Sequence, residues 1–402
     1  MKNTINTKSI LSIANLADQR VILRSCLNIT LDQTGHPIDT TRIEESLKTI
    51  LHLSKNSKKL IIIAHLDRPH GYVQSFSFEH NVYPILKQKL NSENIDIEFI
   101  VHMGDVSLLE QNITKSNNKK VLFVDNVRFF VDEDNSDHAK RAAFAQKLSS
   151  FADIFVNDAF ADYRPSASTY DIAKILPSYL GFKMIEEIES LLKFTKPTSP
   201  SLAVLGGAKL SEKIDILLKL CDRVDRVIIG GAMAYTLLRA NGYKIGKSKF
   251  EEDKLPVAKE ILEKFGEKIL LPVDHVVSSE FSTESNISNT DDKNIDEYMY
   301  AIDIGKKSIE LFKHEILKAR SILWNGPMGV FEWSIGETGT HEIASTIAKN
   351  KNAYSLVGGG DSITAINKFG ISGFSHICTG GGGMLSFLSS DKFPTVDVIL
   401  QS

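Results

Sequence analysis

In the first half of the chain, cations and amides follow short apolar runs: Arg24 and Asn28, Arg42 after a turn, His65 and Arg68, Asn126 and Arg128, Asn157 and Asp158, then Arg164. A guanidinium offers two parallel N–H donors, a geometry that fits phosphate or carboxylate. Any one of these arginines could pair with a surface carboxylate; five at corresponding strand ends point to one small anion. The second half supplies Lys209 and Lys213 in GGAKLSEK, Glu332 in GPMGVFE, and Asp361 with Ser362 in GGGDS. An ammonium beside a glycine turn can neutralise phosphate oxygens, and a carboxylate opening a helix can hold Mg²⁺ directly or through water.

Positioning such groups requires strand ends. In the second half, LAVLGGAK (202–209), VIIGGAMAY (227–235), SILWNGPMG (321–329), SLVGGGDS (355–362) and HICTGGGGM (376–384) are apolar runs that stop at glycines or a Gly-Pro turn, and four of the five stops introduce a helical stretch. Glycine at a parallel-strand end lets backbone approach a ligand, and a helix starting there points unpaired N–H groups at anionic oxygen. These stops suggest a nucleotide site. The first half alternates VILR (21–24), LIIIAH (60–65), IEFIV (97–101), VLFVDN (121–126) and DIFVND (153–158) with helical periodicity, as in RIEESLKTILHLSK (42–55) and HAKRAAFAQKLSSFA (138–152). Strand-helix alternation in both halves predicts two α/β lobes with parallel sheets. MIEEIESLLKF, within Tyr179 to Pro200, has helical spacing and runs into a Pro/Ser/Thr-rich connector, so it is read as an interdomain helix. The expected division is 1–178, a connector 179–200, 201–386, and a tail 387–402. The polar stretch 282–298 is a surface excursion. GYKIGKS (242–248) has only three residues between its glycines, one short of a Walker A loop, and reads as a connector; TGGGGMLS gives no GxGxxG register.

With 402 residues the chain can build two full cores. A formal charge of -3, with 24% charged and 42% apolar residues, describes an ordinary globular protein and recommends neither nucleic acid nor membrane as partner. Cys26, Cys221 and Cys378 lack metal-ligand spacing and read as reduced thiols of a cytoplasmic protein. The amino terminus has no signal-peptide core, and no apolar run reaches membrane-spanning length.

In order and spacing, GGAKLSEKI (206–214), IIGGAMAYTLL (228–238), GYKIGKSKFEED (242–253), WNGPMGVFE (324–332) and GGGDS (358–362) resemble the carboxyl-domain signatures of the phosphoglycerate kinase family. LRSCLNIT, DTTRI, AHLDRPHG, VDNVRF and VNDAF resemble its amino-domain signatures. The resemblance implies two Rossmann-like lobes joined by a hinge helix, with the last residues returning to the amino lobe, a monomer, and reversible phosphoryl transfer between MgATP and the carboxylate of 3-phosphoglycerate. It implies that His65, Arg68, Arg128 and Arg164 clasp the substrate's permanent phosphate. Arg42 would sit over the reacting carboxylate and Lys209 would follow the moving phosphoryl group. Lys213 would bind nucleotide phosphate, Asp361 would serve Mg²⁺ and Glu332 would hold ribose. Gly207, Ala208, Gly231, Asn325, Pro327, Gly359, Gly360 and Ser362 would shape the nucleotide pocket, Ser362 replacing a family threonine. A carboxylate is already ionised near neutrality, so the attack needs no general base and catalysis reduces to positioning and charge neutralisation. Lobe closure would bring Arg42 and Lys209 together and exclude water.

The chain departs from the family mainly in its amino half. Cys26 stands where the family has an aspartate that reads the substrate hydroxyl, although Asn28 remains. Ala64 and Asp67 replace a serine and a glycine, Asp125 a glutamate, and NDAFADYRPSAS is one residue short, with Tyr163 and Ser166 in place of histidines around Arg164. In the carboxyl half Ala232, Lys306, Cys378, Gly383 and Thr395 replace glycine, proline, serine, alanine and glycine. Losing an acceptor at Cys26 weakens discrimination for a hydroxyl. The leading expectation is a divergent glycolytic enzyme; the alternatives are a kinase of another phosphorylated or phosphonylated carboxylate and a non-catalytic binding protein on the same fold. Nearby cations would favour the Cys26 thiolate; a quiet substitution is the bland counterpart.

Overall fold

The computed structural model describes residues 2–390 and 392–401. The chain divides into two compact units, Met1–Glu189 with Lys392–Ser402, and Ser190–Asp391. Each is built around a six-stranded parallel sheet.

In the first unit, β1 (Arg20–Arg24), β2 (Lys59–Ile63), β3 (Ile97–Ile100), β4 (Val121–Val124), β5 (Ile154–Asn157) and β6 (Ser178–Leu180) lie in the order β3-β4-β2-β1-β5-β6. All residues of β2, β4 and β5 are buried, as expected where helices cover both faces. The helix Thr41–Asn56 turns Ile43, Ile50 and Leu53 into the core beside Val21, Leu23, Leu60 and Ile62. Burying one such side chain contributes about 1.5–3 kcal/mol, so this face fixes where Arg42, one residue from Ile43, is held. The sequence places the start of the connecting segment at Tyr179. The structure instead pairs Ser178–Leu180 with β5, a strand too short to show periodicity, and the helix runs Phe182–Leu192. Its first turn is held by Thr49 Oγ1, which accepts from Phe182 N at 3.1 Å, and Asp158 Oδ1, which accepts from Met184 N at 3.0 Å.

In the second unit, β7 (Ser201–Leu205), β8 (Arg226–Ile229) and β9 (Ile269–Leu270) precede a three-stranded sheet. That sheet contains β10 (His275–Ser278), β11 (Ile287–Asn289) and β12 (Tyr300–Ile304), in the antiparallel order β11-β10-β12. Then β13 (Ser321–Asn325), β14 (Tyr354–Gly358) and β15 (His376–Cys378) complete the parallel sheet in the order β15-β14-β13-β7-β8-β9. Successive strands therefore progress in opposite directions across the sheet from β7 and from β13, and such a switch point opens a ligand crevice at the carboxyl strand ends. The small antiparallel sheet was not anticipated; β11 lies in the polar stretch 282–298, and its three residues are exposed. GYKIGKS is a connector, with Ile245 bridging Ile295.

Among the described residues, no helix is long and apolar enough to cross a membrane.

Candidate active site

The carboxyl ends of the first sheet gather a charged cluster. Arg24, last residue of β1, is buried and uses every nitrogen: Nε donates to Ser168 Oγ at 2.9 Å, Nη1 to Ser25 O at 2.9 Å, and Nη2 to His65 Nδ1 at 2.9 Å. Asp162 Oδ2 stands 3.0 Å from both Arg24 Nη2 and His65 Nδ1. Burial works against ionising Asp162, but His65, Arg24 and Arg128 outweigh it and hold the carboxyl well below its ordinary range. Burial pushes His65 down, opposed by Asp162.

Arg42 donates from Nη1 to Asn28 O, while Asn28 Oδ1 accepts from Asp67 N at 2.9 Å. Asp67 lies at φ 54, a left-handed conformation that Asp and Asn tolerate better than most side chains, so it can stand where the family has glycine. Arg128 donates from Nη1 to Asp67 O at 2.7 Å and from Nε to Asp134 Oδ2 at 2.8 Å. Arg68 and Arg164 are exposed, and the Arg164 guanidinium lies 5.7 Å from the centroid of the Tyr163 ring.

Three groups expected to face the anion are turned to the scaffold instead. Asn126 Nδ2 donates to Leu66 O and Phe76 O, Asn157 Oδ1 accepts from Ala159 N, and Asp158 holds Met184 N. Their backbone partners, among them Met184 N in the first turn of the Phe182–Leu192 helix, would otherwise be unsatisfied. The expectation for the Cys26 thiol also changes. Burial pushes it up to about 11, outweighing Arg42 and Arg24, so it is not a thiolate near neutrality. Asp162, absent from the sequence reading, is the acid that the structure adds.

The second sheet makes its edge from backbone. Gly206 N donates to Asn325 O at 3.0 Å, Gly207 N to Pro327 O at 3.1 Å, Gly231 N to Met328 O at 2.9 Å and Met233 N to Gly207 O at 3.0 Å. The turns after β7, β8 and β13 are thus laced together. Gly231 has φ 66, and a Cβ there would lie 2.5 Å from Gly207 N. Gly359, at φ 100, would put a Cβ 2.7 Å from Asn325 Nδ2. The indole of fully buried Trp324 donates to Gly326 O at 2.8 Å, fixing the turn from below.

Lys213 Nζ donates to Gly206 O at 2.6 Å, Asn325 Oδ1 at 2.6 Å and Asn325 O at 3.0 Å, spending its three protons across two turns. Burial lowers it to about 8, against Asp361 and Glu212. Asn325 Nδ2 donates to Gly358 O at 2.7 Å, tying in β14. Ser362 is buried and its Oγ accepts from Gly326 N at 2.7 Å, so its hydroxyl braces a turn. Helices start at once after Gly231, Gly359 and Gly380, at Met233, Gly360 and Gly381, but not after Gly207. There the chain turns through Ala208 and Lys209 and the helix begins only at Ile214. Lys209 is exposed on that turn, 3.6 Å from Glu212. Asp361 is exposed in the first turn of its helix, and a Cβ on Gly360 would meet nothing within 4 Å. Glu332 is exposed, in a loop that Lys368 holds through Phe331 O and Glu337.

The model of the phosphoglycerate kinase family matches residues 11–391. The chain belongs to the phosphoglycerate kinase family. It is 41% identical to the phosphoglycerate kinase of Finegoldia magna over 98% of this chain and 99% of the relative, and 39% identical to that of Dictyoglomus turgidum over 98% of each. The solved phosphoglycerate kinase of Coxiella burnetii superposes with a TM-score of 0.84 at 32% identity, covering 97% of this chain and 98% of that one. The phosphoglycerate kinase of Pyrococcus horikoshii gives 0.82 at 30% identity, with 97% and 98% covered. In this member of the phosphoglycerate kinase family, the cation cluster lies at the carboxyl ends of one sheet and the laced glycine turns at those of the other.

Proposed function

We propose that the chain catalyses reversible phosphoryl transfer between MgATP and the carboxylate of 3-phosphoglycerate, yielding 1,3-bisphosphoglycerate and MgADP. Near-full-length membership of the phosphoglycerate kinase family carries this reading. His65, Arg68, Arg128 and Arg164 hold the permanent phosphate, and Arg42, oriented by Asn28 O, faces the reacting carboxylate. Gly207, Ala208, Gly231, Asn325, Pro327, Gly359 and Gly360 form the nucleotide cradle, whose glycines let main chain approach phosphate closely, the Gly207 and Gly231 N–H groups being spent on holding the turns together. Lys209, on a mobile-length side chain at the exposed turn, neutralises the transferred group. Lys213 holds the cradle's shape and adds positive charge beneath it, while Ser362 acts through the Gly326 turn. Glu332 takes the ribose.

Asp361 fits a Mg²⁺ ion that keeps water and nucleotide oxygens as its other ligands: one exposed carboxylate opens a helix beside the uncrowded Gly360. Bound there, the ion would neutralise charge on the nucleotide phosphates. The chain is further proposed to act as a cytoplasmic monomer on small molecules, without nucleic acid or membrane as partner.

A coupled assay with MgATP and 3-phosphoglycerate tests the reading, repeated with Cys26→Asp and with a panel of phosphorylated and phosphonylated carboxylates. Turnover with 3-phosphoglycerate in the wild type is expected. Activity only with another acid would transfer the reading to that acid, as the thiol at Cys26 would permit. MgADP binding with no turnover on any acid would leave a binding protein.

A further inference from the structure

One nitrogen in the acid pocket faces two incompatible partners. His65 Nδ1 receives the Arg24 Nη2 hydrogen bond at 2.9 Å, which requires a lone pair, yet it also stands 3.0 Å from Asp162 Oδ2, which requires a proton. With Arg24 served, Asp162 Oδ2 is sealed from solvent and lacks a hydrogen-bond partner among the described residues. His65 Nε2 makes no hydrogen bond to the described residues and, in a side chain only 3% exposed, is not sealed as that oxygen is. A proton added to the ring at Nδ1 would satisfy the orphaned carboxylate oxygen and turn Nε2–H, already present in the neutral tautomer, into a charged donor. Arg24 would keep its ion pair with Asp162 at 3.0 Å and its bonds to Ser168 and Ser25.

We propose that Asp162 is a positioning residue that makes binding of the phosphorylated acid take up a proton at His65, the imidazolium then standing between the Asp162 carboxylate and the ligand's phosphate. The charged groups acting on this pair are Arg24 from the end of β1, Arg128 from the segment after β4 and Asp162 from the segment after β5, with Glu133 behind Arg24. In the free pocket burial and the two arginines keep the ring neutral, and an arriving anion tips the balance. The proton comes from solvent and returns there on release. The inference rests on the acid-kinase reading only for the identity of the ligand.

Two measurements on the full-length protein test it. Calorimetric titration with 3-phosphoglycerate, at about pH 8 in two buffers of different ionisation enthalpy, counts protons bound. The wild type should take up a large fraction of a proton, Asp162→Asn close to none, and His65→Gln close to none while retaining the carboxylate. Affinity of the wild type should fall by up to about tenfold per pH unit between the free-state and bound-state midpoints of His65, and level off above the latter. Equal uptake in wild type and Asp162→Asn would overturn the proposal. The second measurement needs no ligand: histidine NMR should place the His65 titration of Asp162→Asn about one unit or more below wild type, and an unchanged midpoint would overturn the proposal. Failure of 3-phosphoglycerate to bind, with the NMR shift present, would refute the acid assignment and leave the Asp162–His65 link standing.

Discussion

The proposed sites at the two sheets would recruit phosphate by different means. At the first, recognition is built from side chains that hold one another: Arg24 with Asp162 and His65, Arg42 with Asn28, Arg128 with Asp134 and Asp67. At the second it is built from main chain, with three turns interlocked and Lys213 pinned across two of them. A side-chain site can be retuned one residue at a time, because a lost carboxylate or thiol leaves the backbone in place. A backbone site cannot, since a methyl group in the wrong turn moves every turn laced to it. The departures at Cys26, Asp67 and Asp125 fall at the first sheet; at the second, Gly206, Gly207, Gly231, Gly326 and Gly359 are present, and Ala232 stands in for a glycine at φ -65, where a Cβ is tolerated.

The sharpest way to break this contrast is Gly231→Val. A branched side chain at φ 66, against Gly207 N, should destabilise the second unit by about 4 kcal/mol or more and abolish MgADP binding. Chemical denaturation and nucleotide titration would show it; ordinary stability with intact binding would remove the claim that main chain makes this site. Next, Arg42→Ala should lower kcat by about 100- to 1,000-fold with little change in melting temperature, since its loss leaves the fold untouched.

Lys213→Met is expected to weaken MgADP by about tenfold to a hundredfold, leaving Gly206 O and Asn325 Oδ1 without a donor. In the wild type, MgADP affinity should fall as pH rises through about 8, where the free protein's Lys213 loses its charge, and a flat profile in that window would detach this lysine from the nucleotide. Because its folded value is lowered, the folded state binds fewer protons than the unfolded one above about 8, so stability itself should rise with pH there. The opposite slopes separate binding from folding.

Cys26→Asp should change discrimination between 3-phosphoglycerate and its deoxy analogue by roughly tenfold in kcat/KM while leaving MgADP affinity alone; an effect on the nucleotide would show that the two sites are not independently tunable. The smallest expected effect concerns Asp158, raised from 3.8 to about 6 by burial. The folded state then holds the proton more tightly, so this group's contribution to stability declines as pH rises between those values and is level above them. Asp158→Asn should remove that slope, measured by denaturant titration at a series of pH values.

Much of this was legible in the sequence for identifiable reasons. The parallel strands carry continuous apolar runs because both sheet faces are covered, and the glycine stops mark strand ends directly. The missing pieces are those without local pattern. β6 and β9 have three and two residues, and β11 is wholly exposed, so periodicity had nothing to register. Asp162 eluded notice because an isolated acid gains its meaning only from Arg24 and His65, which fold brings from distant segments; its place beside Arg164 in the shortened ADYRPS segment was the one available hint. Asn126, Asn157 and Asp158 were misread for the converse reason: their types suit an anion site, but strand ends also leave backbone groups that need partners.

Trp324 and Trp333 are the chain's two tryptophans, and both belong to the second unit. Indole emission is therefore a one-sided optical gauge, blind to the first unit and, through Trp324 Nε1 on Gly326 O, mechanically coupled to the turn after β13 that forms part of the proposed nucleotide cradle. Nucleotide titrations can be followed without a label. A denaturation curve read from that emission follows one unit, whereas far-ultraviolet dichroism sums both, and any gap between the two curves measures how far the halves unfold apart.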